Sequence, residues 1–113
     1  PNGERLCQSR ITTQTAWQYA KLSGDYNPIH LTPLSAKMFG FKRNIIHGMY
    51  NVHFALTQIN RQSSQIVNTI SIKFNKPCFL PNRINLYQES SSRFSLYSDD
   101  NHDRFMTLDI TFT

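Results

Sequence analysis

The sequence has 113 residues, 39% of them hydrophobic and including eight Phe and five Tyr, enough for one modest core and too few for two domains. Hydrophobic, charged and turn-forming residues are mixed along its whole length, which excludes a disordered chain, and no apolar run approaches the ~20 residues of a membrane span. The formal net charge of +5 is too unevenly distributed to be read as a single number.

In chain order, residues 4–11 alternate weakly and are expected to form a first strand. Thr12 or Thr13 is a suitable N-cap for a helix running to about Leu22, which Ser23-Gly24 ends with glycine in the left-handed position. A turn-rich stretch follows, "SGDYNPIHLTP", and Pro33 then opens a short helix, "PLSAKMF", ended by Gly40. The strongest helical signal is "GMYNVHFALTQINR". There Met49, Val52, Leu56 and Ile59 form an apolar stripe that Phe54 and Ala55 widen, so burial is expected round most of the helix. Beyond it the period becomes two. Ile70, Ile72 and Phe74 share a face, as do Ile84 and Leu86, and Phe94 and Leu96. Phe105, Leu108, Ile110 and Phe112 continue the pattern with one break in step. Pro77 and Pro81 bracket a loop and "SDDNHD" is a polar hairpin turn. A strand, helices, one long helix and an antiparallel meander predict an α+β fold, with a sheet wrapped round a helix, over residues 1–113 as one domain.

Cys7 and Cys78 are far apart, and His30, His47, His53 and His102 lack the HxxxH or CxxC company of a zinc site. The expectation is two free thiols in a reducing cytoplasm and no metal. The opening "PNGERLCQSR" lacks the apolar run of a signal peptide. Residues 26–88 contain no Asp or Glu but carry seven Lys and Arg, whereas residues 89–113 hold five acids against two arginines. A long segment of one sign attracts a phosphate-bearing or acidic partner. Phe74 between Lys73 and Lys76 is too thin a base for a nucleic-acid surface, and no nucleic-acid partner is expected.

The residues of "SGDYNP" make a good turn by themselves. Yet Asp25 and His30 lie five apart across a Pro-stiffened loop, and a carboxylate with an imidazole is the ordinary pair for moving protons near neutral pH. Gly48, in "IIHGMY", opens the long helix, where free N–H groups and the positive dipole end suit a developing oxyanion. Glycine there lets a carbonyl approach closely.

The ungapped stretch "SGDYNPIHLTPLSAKMFGFKRNIIHGM", residues 23–49, resembles the hydratase/dehydratase signature of the MaoC-like family, the (R)-specific enoyl-thioester hydratases of the hot-dog superfamily. The resemblance implies a hot-dog fold and reversible hydration of trans-2-enoyl thioesters, or dehydration of (R)-3-hydroxyacyl thioesters, in fatty-acid metabolism. It implies that Asp25 and His30 are the catalytic dyad, that the Gly48 N–H binds the thioester oxygen, that Asn27 and Pro28 shape the loop, and that His47 positions the site. It further implies a homodimer, no cofactor beyond the coenzyme A or acyl carrier protein of the substrate, and no membrane span. Lys42 and Arg43 are the candidates for coenzyme A phosphate contacts. One position departs from the family: where known members have a serine supporting the aspartate, eight residues after the glycine, this chain has Leu56. A non-catalytic acyl-binding subunit of a heteromeric dehydratase and a hot-dog thioesterase are the competing readings.

Overall fold

The computed structural model describes residues 3–113, in the order β1 (Glu4–Ile11), α1 (Thr13–Ser23), α2 (Pro28–Leu31), α3 (Pro33–Lys37), α4 (Gly48–Gln62), β2 (Val67–Phe74), β3 (Asn82–Gln88), β4 (Arg93–Ser98) and β5 (Arg104–Phe112). Local chemistry sets most of these boundaries. Thr12 and Thr15 exchange side-chain-to-backbone hydrogen bonds in a capping box at the start of α1. Gly24, at φ 77°, closes the same helix by donating its N–H to the Ala20 carbonyl at 2.8 Å.

The sequence predicts only turns across residues 23–33, and the structure places a helical turn within them. The Asn27 side chain accepts a hydrogen bond from the Ile29 N–H, Pro28 supplies a preset φ at the first position, and one helical turn forms, α2. Thr32 and Ser35 then cap α3 reciprocally. Two prolines and two caps so close together let the chain make short helices without a long apolar face.

In α4 the expected stripe is displaced. Val52, Ala55 and Ile59 are buried with Asn51, whereas Met49 is 50% exposed and Leu56 is half-buried. The side chain of Ala55 is small enough to let the helix approach its neighbours closely, so the buried stripe centres on it. His53, Thr57, Asn60 and Arg61 face solvent, so the helix is buried on one face and not round most of its circumference.

The sheet is antiparallel throughout, in the order β1-β3-β4-β5-β2. The meander expected of the last four strands holds only for β3 to β5. Strand β2 pairs with β5 at the outer edge, so residues 75–81 carry the chain from one side of the sheet to the other. That edge position leaves Ile70 and Phe74 partly exposed despite their shared face with Ile72. The break in step in β5 is a bulge: Leu96 faces Met106 and Tyr97 faces Arg104, leaving Phe105 as the extra residue. Ile84, Leu86, Leu96, Met106 and Leu108 join Val52, Ala55 and Ile59 of α4 in one buried cluster. Burying each such side chain contributes roughly 1.5–3 kcal/mol.

Candidate active site

His30 is carried by α2 and aimed by its own backbone environment. Its side chain is only 9% exposed, and its Nδ1 lies 2.8 Å from the Ile45 carbonyl oxygen. A carbonyl can only accept, so Nδ1 carries the proton and Nε2 keeps its lone pair. The Nε2 atom faces Asp25 Oδ2 at 3.8 Å, too far for a direct hydrogen bond and suited to one water that donates to both. Burial pushes the His30 pKa below its ordinary value; the Ile45 carbonyl opposes this, His47 adds to it, and Asp25 opposes it again.

Asp25 sits between Gly24 and α2 with its side chain 52% exposed. Its Oδ1 accepts the Asn27 N–H at 3.1 Å, and its backbone carbonyl accepts from His47 Nε2 at 2.9 Å. The His47 ring is buried and stacked on His30, with centroids 3.8 Å apart and planes at 22°. Tyr19 closes the other side of His47 at 4.9 Å. Asn44, fully buried, donates to the His30 carbonyl at 3.2 Å and to Thr13 Oγ1 at 3.1 Å, tying α2 to the start of α1.

Donor atoms of Asp25, His30 and His47 all lie within 4.8 Å of one another, a grouping that sequence spacing does not show. The two rings are stacked, however, and His47 Nε2 already donates to the Asp25 carbonyl. That arrangement suits passing a proton or holding a water better than closing on one cation.

Gly48 begins α4, and His47 before it provides no side-chain cap. Of the first-turn N–H groups, that of Tyr50 donates back to the His47 carbonyl at 3.0 Å, while that of Gly48 has no intrahelical acceptor. A cleft of approximately 420 Å³ there is lined by Asp25, His47, Gly48, Met49, Tyr19 and Phe74 among others. An acid, Asp25, and an oxyanion-type donor, Gly48, thus border one space; His30 does not line it and is tied to it through Asp25, 3.8 Å away, and through the stacked His47.

Asp25 lies beside His30 and borders one cleft with Gly48, with Asn27 and Pro28 shaping the turn between Asp25 and His30. Lys42 and Arg43 are not in this cleft. Lys42 Nζ lies 4.7 Å over the Phe79 ring, Arg43 Nε donates to the Leu80 carbonyl at 2.7 Å, and both line a separate cleft that also includes Lys76. Leu56 packs against the core. Asn44 and Asn51 are buried polar residues that the sequence does not single out; their patterns are indistinguishable from those of surface asparagines.

A five-stranded antiparallel sheet with one long helix in its core is the hot-dog fold. The (R)-hydratase from A. caviae involved in PHA biosynthesis shares it, with a TM-score of 0.77 and 20% identity over 97% of this chain and 93% of that one. The family defined by the MaoC like domain matches residues 4–96, and the chain belongs to that family. It is 41% identical over 78 residues to 3-hydroxyacyl-thioester dehydratase X of Mycobacterium tuberculosis, covering 69% of this chain and 28% of that protein. The crystal structure of HtdX from the same organism superposes with a TM-score of 0.81 and 29% identity, over 95% of this chain and 47% of that one. The peroxisomal enoyl-CoA hydratase 2 of Arabidopsis thaliana is 44% identical over 54 residues, covering 48% of this chain and 17% of that protein. The chain thus spans less than a third of the length of either curated relative.

Proposed function

We propose that this chain catalyses reversible hydration of trans-2-enoyl thioesters, the reverse step being dehydration of (R)-3-hydroxyacyl thioesters. The observation that carries the reading is the 3.8 Å gap between His30 Nε2 and Asp25 Oδ2, beside the start of α4 at Gly48. A water between the two acceptors is oriented by both. Its oxygen bonds to C3, one of its protons passes to the dyad, and a proton from the dyad goes to C2 on the same face. The electron pair of the double bond shifts through the thioester, whose oxygen gains negative charge and is held by the Gly48 N–H. The thioester brings its own coenzyme A or acyl carrier protein, and no further cofactor takes part.

The basic segment favours a phosphate-bearing substrate, with Lys42, Arg43 and Lys76 bordering a common cleft. The free edge of β2, with Ile70 and Phe74 exposed, favours a homodimer joined along that edge. Two free cysteines fit a reducing compartment such as the cytoplasm, and the dehydratase and hydratase relatives favour a place in fatty-acid metabolism. Among the described residues no helix is long and apolar enough to cross a membrane. A second reading, a subunit that binds acyl chains without turnover, rests on Leu56 in place of a supporting hydroxyl.

The test is the loss of enoyl-thioester absorbance with crotonyl-CoA and an eight-carbon enoyl-CoA. Turnover that falls by about 100-fold or more in Asp25→Asn and His30→Ala, with both variants folded, is expected for the dyad. Turnover at the wild-type rate by either variant would remove the assignment. Binding without turnover by the wild type would favour the second reading.

A further inference from the structure

Asn51 is the polar member of the buried face of α4, 4% exposed beside Val52, Ala55 and Ile59. Its Oδ1 is buried, and among the described residues no group donates a hydrogen bond to it. A buried acceptor left unpaired costs stability, and an apolar side chain of the same shape would avoid that cost. A polar group kept at such a position calls for a donor from outside the chain.

The residue also borders a cleft. Gly48 and Asn51 both line a space of approximately 340 Å³, together with apolar Ile45, Ile46 and Phe105 and polar Asn75 and Lys76. Gly48 and Asn51 lie three residues apart on α4, hence on one face and about 4.5 Å apart along the axis. Lys76, Pro77 and Phe105 line the basic cleft of Lys42 and Arg43 as well, so the two clefts adjoin. In the basic cleft Lys76 pairs with Asp103 at 2.9 Å, whereas Lys42 and Arg43 are held by neutral groups, the Phe79 ring and the Leu80 carbonyl. The oxyanion-type donor and the unpaired acceptor thus stand at one end, and the cations at the other.

We propose that Asn51 binds the carrier arm of the thioester, its Oδ1 accepting the N–H of the first amide beyond the sulfur. The inference rests on the thioester reading of the site and extends it along the arm. Coenzyme A and acyl carrier proteins share this phosphopantetheine arm, in which two methylenes separate the sulfur from the amide nitrogen. With the thioester oxygen at the Gly48 N–H, that nitrogen comes within reach about one helical turn on, where Asn51 stands. The torsion that turns an asparagine amide is soft, so the oxygen can swing to a donor in the cleft. The acyl chain beyond C3 carries no N–H or O–H and offers this oxygen nothing. Donor chemistry therefore assigns the cleft to the arm, and the phosphate end of the arm lies toward Lys42 and Arg43.

The experiment measures kcat/KM of wild type and Asn51→Leu with crotonyl-CoA, a crotonyl-acyl carrier protein, crotonyl-N-acetylcysteamine and S-ethyl thiocrotonate. The first three contain the amide, N-acetylcysteamine without any phosphate, and the S-ethyl ester lacks it. Asn51→Leu is expected to lower kcat/KM by about three- to tenfold, chiefly through KM, on the amide-bearing thioesters and to leave the S-ethyl ester unchanged. The wild-type preference between the first two tells which source of the arm the cleft serves. Calorimetric titration with unacylated coenzyme A, which does not react, is expected to weaken by the same factor. The melting midpoint of Asn51→Leu should equal or exceed that of wild type, because an unpaired buried acceptor has gone. Asn51→Ala, which also lacks the acceptor, repeats the comparison if the leucine variant does not fold. Equal losses on all four thioesters, or no loss on any, would overturn the binding role and leave the thioester reading standing. Wild-type protein that turns over none of the four would overturn both.

Discussion

His47 stacks on His30 with 3.8 Å between ring centroids while donating its Nε2 proton to the backbone carbonyl of Asp25 at 2.9 Å. One buried side chain therefore touches both Asp25 and His30. The Asp25 backbone is held from behind and the His30 ring is held face-on, leaving Nε2 and Oδ2 to converge on the same space. His47→Phe keeps a ring to stack on and removes the hydrogen bond. Loss of that bond should release the Asp25 loop, lowering kcat by about 10- to 100-fold at nearly constant KM and reducing stability by about 1–2 kcal/mol. Kinetics with crotonyl-CoA and a denaturant melt check this. An unchanged kcat alongside a lowered melting midpoint would reduce His47 to a packing residue.

The lowered pKa of His30 fixes the direction of a pH effect. Burial is the main cause, so the folded chain binds this proton more weakly than the unfolded chain does. Between the folded value and the unfolded value of about 6.5, unfolding takes up a proton. This contribution to stability is complete above the unfolded value and is lost as pH falls through the folded one. Turnover, which needs the Nε2 lone pair, should hold below pH 6.5 and then fall. The wild type should also lose melting temperature between these values more steeply than His30→Gln does. An acid limb of kcat/KM at or above pH 6.5 would contradict the desolvated environment assigned to His30.

The parts of this molecule that were legible in the sequence are those written in local chemistry. Thr12 and Gly24 mark the ends of α1, Pro33 opens α3, which stops at Lys37 short of the expected Gly40, and the single break in step of β5 is the Phe105 bulge. Asp25, His30 and Gly48 could be singled out because each is a residue type suited to its chemistry and near a chain punctuation mark. Long-range facts were not legible. Asn51 replaces Met49 on the buried face of α4 because the helix is rotated to bring Ala55 close to its neighbours, a choice made by packing partners distant in sequence. Strand order is likewise silent in the pattern, since β2 alternates like its neighbours whether it lies beside β3 or at the outer edge. The ring of Phe74 reads as one more inward apolar residue until its strand is placed at that edge.

Cys78 offers a reactivity test independent of any substrate. Burial raises its pKa to about 12, with the neighbouring Asn51 side chain opposing the shift, and the Cys7 thiol is also raised. At pH 8 almost no Cys78 thiolate exists in the folded protein, so alkylation there should be slower than at a free cysteine by about 1000-fold or more. Iodoacetamide followed by mass mapping of the two cysteines, native and in denaturant, checks this. Rapid native labelling of Cys78 would mean that the packing that buries this thiol opens in solution.

Gly48→Ala separates helix formation from ligand approach at one atom. The glycine occupies the first turn of α4, where alanine is a better helix former, so the backbone has no reason to object. The new methyl would stand 2.9 Å from the edge of the Phe74 ring, which belongs to a half-exposed side chain and can turn away. Stability should therefore stay within about 1 kcal/mol of wild type. On the proposed reading, the methyl nevertheless enters the space through which a thioester oxygen would reach the Gly48 N–H. Oxyanion donors contribute on the order of 100- to 1000-fold to turnover, and a methyl that spoils the approach should remove a large part of that. The expected result is a folded protein with normal melting and kcat reduced by at least about tenfold. Wild-type turnover from Gly48→Ala would move the oxyanion donor away from this residue, and a collapse in stability would show that the Phe74 ring cannot yield.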